Sequence, residues 1–212
     1  MKQLLIIGAG GLGREVAWLV ERINHASAAF ELLGFLDDAP ELAGCKVNGY
    51  PVLGSVADIV RYPKAHVVCA IANTAVRRRL VAQILQVAPQ TTFAALIDPS
   101  VECSRWVTIG QGSIICLHTS LTVNITIGEH VIINPACTVG HDAILEDFVT
   151  VYPGANLSGS TRIGTGAELG TGMQIIQGKH IGAEAIIGAG AVVVRDIPPH
   201  CTAVGCPAKP IK

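Results

Sequence analysis

From Ile97 to Val193, every sixth residue is apolar and small enough to repeat without interruption. Of the seventeen residues Ile97, Cys103, Ile109 and so on to Val193, sixteen are Ile, Leu or Val and one is cysteine. A second track lies four residues on, from Val101 to Ile197, and is mostly small or β-branched. A six-residue period matches neither the 3.6 of a helix nor the 2 of a strand. It is the pattern of a parallel β-helix, in which hexapeptides form successive flat faces of a prism. Three hexapeptides make one coil, so residues 18 apart stack, and residues 97–198 give a little under six coils. The aliphatic track is expected to fill the axis and the small track the corners. Gly110, Gly128, Gly140, Gly164, Gly170, Gly182 and Gly188 each follow an aliphatic residue, where a turn would call for positive φ. Flat β faces on the outside of such a prism suggest a homo-oligomer packed prism on prism.

The remaining composition agrees with a chain that buries a large aliphatic core. Half of the 212 residues are hydrophobic, 15% are charged and 4% are aromatic. The net charge of −1 gives no electrostatic reason to expect nucleic acid or an anionic membrane as partner. Seven cysteines are scattered, with no CxxC and no His/Cys metal spacing, so no metal is expected. Cys103 and Cys137 fall on the two tracks and read as small buried hydrophobes. A reduced, cytoplasmic setting follows. Leu4–Ile7 is too short for a signal segment, and no apolar run approaches the ~20 residues of a membrane span.

Residues 1–96 read differently. Apolar runs at 3–7, 31–36, 66–71 and 91–97 alternate with helical patterns after residue 13, at about 55–61 and at 77–87. Ser55 is a candidate helix cap. Alternation of strand and helix implies a small α/β domain with a mostly parallel, Rossmann-like sheet. Gly8, Gly10 and Gly13 form G-x-G-x-x-G between a strand and a helix, where backbone N–H groups can approach a phosphate. Asp37, 24 residues beyond Gly13, stands where a ribose-binding carboxylate would. The same glycines would also serve a plain strand-to-helix turn. The domain has too few strands for two mononucleotide halves, so a nucleotide half-site fits better than NAD. Arg77-Arg78-Arg79 reads as a solvated helix face, one member of which could reach a phosphate.

The whole chain resembles the hexapeptide-repeat sugar acetyltransferases of the sialic-acid and bacillosamine type. The resemblance rests on GAGGLGREV, GFLDD and AIANTAVRRR in the first domain, the repeat itself, and the tail GCPAKPI. It implies a left-handed β-helix over 97–212, acetyl-CoA as co-substrate, and a homotrimer with active sites between subunits. The acceptor would be the amino group of a nucleotide-linked sugar or a hydroxyl of sialic acid. Moving an acetyl group needs a base, an oxyanion donor and close positioning. The resemblance makes His141 the base, Asp142 its partner with Glu146 as a weaker candidate, and the backbone N–H of Gly159 the oxyanion donor. His141 lies off both tracks and should point outward, and Gly159 is 18 residues later. Relatives often carry a second histidine near the thioester where this chain has Thr150. Thr150, Gly159, Thr171, Ala189 and Lys209 are the implied cofactor contacts. Gly10, Gly11, Leu12, Asp37, Asp38, Ala72, Asn73 and Asn134 are the implied acceptor contacts. Some relatives have histidine at the position of Leu12. The remaining histidines (His25, His66, His118, His130, His180 and His200) show no partner at readable spacing. A non-catalytic β-helix scaffold and an NAD-linked oxidoreductase are the readings from other classes.

Overall fold

The computed structural model describes residues 1–211. It forms two compact units, Met1–Pro99 and Ser100–Lys212. The first is built on four parallel strands in the order Phe30–Leu36 (β2), Lys2–Ile7 (β1), His66–Cys69, Thr92–Phe93. Leu4 to Ile7 have no exposed surface, as expected of a central strand covered on both faces. Helix α1 (Gly11–Ala26) buries Val16, Ala17, Leu19 and Val20, which recur at helical spacing. Gly13 lets the helix settle on the strand, because a Cβ there would run into the Gly8 carbonyl oxygen. The expected helix at 55–61 is a 3₁₀ turn, Val56–Arg61, with Ser55 Oγ donating to Asp58 Oδ2 at 2.9 Å.

Helix α2 (Thr74–Val87) corrects the reading of its arginines. Arg77 is not a solvated residue. It is fully buried, and its Nη1 donates to the carbonyls of Ile71 (2.7 Å) and Ala72 (2.9 Å). A guanidinium can be buried where it satisfies carbonyls that would otherwise be orphaned.

The second unit is a parallel β-helix of two-residue strands on three faces. The first face carries Ile114–Ile115, Ile132–Ile133, Thr150–Val151, Glu168–Leu169 and Ile186–Ile187. Glu102–Cys103, Ser120–Leu121, Thr138–Val139, Asn156–Leu157, Gln174–Ile175 and Val192–Val193 make the second. The third holds Thr108–Ile109, Thr126–Ile127, Ile144–Leu145, Arg162–Ile163 and His180–Ile181. Partners are 18 apart, as in Val139↔Leu157. The aliphatic track and the small track together form one continuous buried core. Its buried hydroxyls are satisfied: Ser113 Oγ donates to Gly128 O and accepts from Val131 N, both at 2.9 Å.

Three details depart from expectation. The glycines after the aliphatic residues are not the left-handed ones. Positive φ falls two residues later, at every sixth residue from Gly112 to Gly190, including His118, Asn124, His130, Ala136, Asp142, Phe148, Ser160 and Glu184. The glycines at 110, 128, 140, 164, 170 and 182 serve close stacking instead, since a Cβ on each would strike the coil above. Second, the period breaks after Val193. Ile197 pairs with Ile181 and Ala203 with Ile187, each 16 residues apart, so the last coil is two residues short and Ile197 belongs to the inward strand position. Third, Cys103 is exposed, because its strand is the edge of the second face. Cys137 is buried as read, and burial pushes its thiol up to about 11.

The two classes of glycine make a stability prediction. An alanine Cβ at Gly164 would lie 2.5 Å from the Ala183 nitrogen, so backbone must move. Gly172 has φ +68° but open space around it. Gly164→Ala should therefore destabilise by about 3 kcal/mol, and Gly172→Ala by only about 1 kcal/mol. Thermal unfolding of the two variants checks the order.

Candidate active site

In the β-helix, Gly140 to Asp142 turn the corner between strands Thr138–Val139 and Ile144–Leu145. The residue at the third turn position must be left-handed, and Asp142 adopts φ 59° there. That geometry throws His141 and Asp142 outward, with side chains 50% and 53% exposed. His141 Nδ1 lies 2.8 Å from Asp142 Oδ2. Asp142 Oδ1 accepts from Asn124 Nδ2 at 3.2 Å. The bond to His141, then the bond to Asn124, hold the Asp142 carboxyl below its usual range despite some desolvation. An ionised carboxylate on Nδ1 favours the tautomer with a bare Nε2, the form a base needs.

Gly159 stacks one coil on. A Cβ there would be 2.5 Å from His141 Nε2, so the imidazole lies directly against bare backbone. The Ser160 N–H donates to the His141 carbonyl at 2.7 Å, which fixes this stacking. At the neighbouring corner, the N–H groups of Glu129 and Thr165 are taken by Asp147 and Glu146. The Gly159 N–H donates to nothing among the described residues. A base and an unengaged N–H thus share one corner.

The other sequence candidates divide. Thr171 and Ala189 are exposed and stacked, with Gly190 N donating to Thr171 O at 2.8 Å. They occupy the corner between the first and second faces, not that of His141. Lys209 is exposed on a short antiparallel strand against Val204, which packs over Gly188 beside Ala189. Thr150 corrects the reading of a cofactor contact: it sits on the first face with no exposed surface, so its hydroxyl is not on offer to a ligand of the protomer. Asn134 is likewise a stacking residue rather than open surface. It is 7% exposed and its Nδ2 donates to Val151 O at 2.8 Å. Glu146 is no partner for His141, since Arg162 and Thr165 occupy its carboxylate and hold its pKa low.

Two histidines without readable partners do have them. His130 is buried and stacks on Phe148 with centroids 5.0 Å apart, and His200 meets Glu184 at 3.3 Å. Both contacts join left-handed corner positions of different coils; His130 and Phe148 are one 18-residue period apart, whereas Glu184 and His200 are 16 apart, across the shortened last coil.

In the first unit, the ends of β1 and of His66–Cys69 lie side by side and lead into the N-termini of α1 and α2. Gly10 and Gly11 have open space where a side chain would be, and Leu12 is half-buried. The first turn of α1 leaves backbone N–H groups without intrahelical acceptors, a setting that suits a phosphate. A shallow pocket beside it is lined by Gly11, Arg14, Glu15, Trp18 and Asn48. Asp37 is committed internally: Oδ2 accepts from Ala9 N at 2.7 Å and Oδ1 from Ala39 N at 2.9 Å. It shapes the glycine loop from the place expected of a ribose ligand. Asp38 accepts from Val56 N at 2.8 Å and is exposed. The Ala72 carbonyl is held by Arg77, and Asn73 caps α2 through Val76 N at 2.9 Å. Among the described residues no group of three or more His, Cys, Asp and Glu could hold a metal ion. No helix among them is long and apolar enough to cross a membrane.

Comparison with known proteins gives a consistent result. Residues 3–84 match the PglD N-terminal domain family. A GDP-perosamine N-acetyltransferase of Escherichia coli is 37% identical over 204 residues, spanning 94% of this chain and 81% of that one. The acetyltransferase domain of PglB from Neisseria gonorrhoeae matches over the whole of both chains with a TM-score of 0.90 at 36% identity. The same domain has been solved in complex with acetyl coenzyme A. A perosamine N-acetyltransferase variant from Caulobacter crescentus, in complex with CoA and GDP-perosamine, covers 100% of this chain with a TM-score of 0.88 at 28% identity. With its glycine-loop α/β unit, its hexapeptide prism and a whole-length relative of this kind, the chain belongs to the hexapeptide-repeat sugar acetyltransferase family.

Proposed function

We propose that the chain transfers the acetyl group of acetyl-CoA to the amine of a nucleotide-linked amino sugar, with His141 as general base. The observation that carries this is the His141–Asp142 pair lying against Gly159, whose N–H is unengaged. His141 Nε2 takes the proton of the attacking amine as the C–N bond forms at the thioester carbonyl. The Gly159 N–H donates to the oxyanion of the tetrahedral intermediate. Collapse expels the CoA sulfur, which takes the proton from His141, and the imidazole is neutral again. Asp142 supports the imidazolium in between.

Residues 97–212 then supply catalysis and the acetyl-CoA contacts, with Thr171, Ala189 and Lys209 as cofactor residues. Residues 1–96 grip the nucleotide, through the open backbone at Gly10, Gly11 and Leu12 and through Asp38 and Asn73. A homotrimer fits this division. His141 and Gly159 occupy one corner of the prism and Thr171 and Ala189 another, and a cleft between two protomers would bring one corner of each to the same cofactor. A reduced, cytoplasmic setting fits seven cysteines none of which is bridged.

GDP-perosamine, named for the relatives, makes a GDP-linked amino sugar the first acceptor to try. Purified protein with acetyl-CoA, presented with UDP-, GDP- and dTDP-linked amino sugars and with free sialic acid, should release CoA thiol with an amino-sugar nucleotide. The exposed Cys45, Cys103 and Cys206 must be titrated beforehand, since they react with the same reagent. Release with sialic acid alone would replace N-acetylation by O-acetylation. Binding of acetyl-CoA without turnover on any acceptor would favour a scaffold.

A further inference from the structure

We propose that Asn124 is a positioning residue for the catalytic pair, holding Asp142 so that His141 presents a bare Nε2. The proposal rests on the reading of His141 as base and names the residue that orients it. Asn124 lies 18 residues before Asp142, one coil away, and the two occupy equivalent left-handed corners with φ 54° and 59°. The Asp142 N–H donates to the Val123 carbonyl at 3.0 Å, which locks these corners together. Asn124 Nδ2 then meets Asp142 Oδ1 at 3.2 Å, while Asp142 Oδ2 meets His141 Nδ1 at 2.8 Å. An ionised carboxylate only accepts, so it is the NH₂ of the amide that faces it, and a protonated Nδ1 of the imidazole.

The need for such a residue follows from exposure. The Asp142 side chain is 53% exposed and its partner 50%. A carboxylate held only by its neighbour in sequence is free to turn its oxygens toward water, and the histidine tautomer is then free as well. A bond from the adjacent coil removes that freedom at one oxygen and leaves the other for the imidazole. Support of this kind is how an outer partner fixes the ring orientation and protonation of a working histidine. The 18-residue period stacks Asn124 beside Asp142, but the bond needs both corners to be left-handed, and that conformation is not written in the spacing.

Two substitutions separate positioning from folding. Asn124→Gly suits the left-handed corner and deletes only the amide. Asn124→Asp keeps the shape but sets a second carboxylate against Asp142. Both should remain folded by circular dichroism. Asn124→Gly should lower kcat by ~10-fold, part of the 10²–10⁴ that a general base supplies, with KM for both substrates within about twofold. Asn124→Asp should lower kcat further. Nitrogen-15 NMR of labelled histidine should show His141 losing Nδ1–H tautomer in Asn124→Gly, in the absence of any substrate. Unchanged tautomer signals or an unchanged kcat in Asn124→Gly overturns the proposal. Failure of the base reading is seen elsewhere, as turnover retained by a His141 variant, and the tautomer measurement still decides whether Asn124 orients the pair.

Discussion

Replacing His141 with alanine should leave the protein folded and cut turnover by ~10²-fold or more. The imidazole is half exposed and makes its one side-chain bond to the equally exposed Asp142. Its loss leaves no buried group unsatisfied, and exposed substitutions of this sort shift stability by about 0.5 kcal/mol or less. What is lost is the proposed proton acceptor, at the corner it shares with the Gly159 N–H. KM for acetyl-CoA should change little, since the proposed cofactor residues Thr171, Ala189 and Lys209 are untouched. Steady-state kinetics with the best acceptor from the nucleotide-sugar panel, beside a thermal melt, checks both halves. Turnover within a few-fold of the parent protein would remove His141 from the mechanism.

Gly159→Ala should be as severe by a different route. The added methyl would lie 2.5 Å from His141 Nε2 and 2.6 Å from Cε1, so the ring must lift from the backbone. The nearest atoms are those of a side chain at the surface, and Gly159 does not have a left-handed φ, so the coil itself can accept alanine. Two catalytic effects are struck together. The base moves by an appreciable fraction of an ångström, and the N–H is screened from the oxyanion. Removal of one oxyanion donor costs about 10²–10³ in kcat. If both residues serve one step, His141→Ala combined with Gly159→Ala should be little worse than the more damaging single change, because groups acting as a unit are not additive. A double variant whose losses multiply would place the two residues in separate steps.

Much of this site can be read from the chain. The unbroken six-residue track is legible because each inward side chain must fill the same kind of space, coil after coil. His141, Asp142 and Gly159 are legible because a period of 18 converts sequence distance into stacking. Corner conformation is another matter. Positive φ is expected directly after the aliphatic residue and falls two residues later, where His118, Asn124 and Phe148 adopt it as well as glycine. Glycine at the earlier position answers to the coil above it, a contact between residues one coil apart in the chain. Thr150 and Asn134 look like site residues by position, yet one is fully buried and the other spends its amide on Val151. Arg77 looks like one of three surface cations, and its burial depends on two carbonyls of a loop it does not belong to in any pattern.

The prism, its 18-residue stacking and the outward His141–Asp142 corner are written in the chain, because they follow from a periodic demand for aliphatic side chains on one axis. Which groups are free to act is settled by the packing of coils and loops in space. That packing gives Asp37 to the glycine loop, Glu146 to Arg162 and Asn124 to Asp142, and among the described residues it leaves the Gly159 N–H unengaged against the imidazole. Hydrogen bonds of this kind join single atoms on separate coils or loops, and they are settled by direction and distance, which no repeat length records.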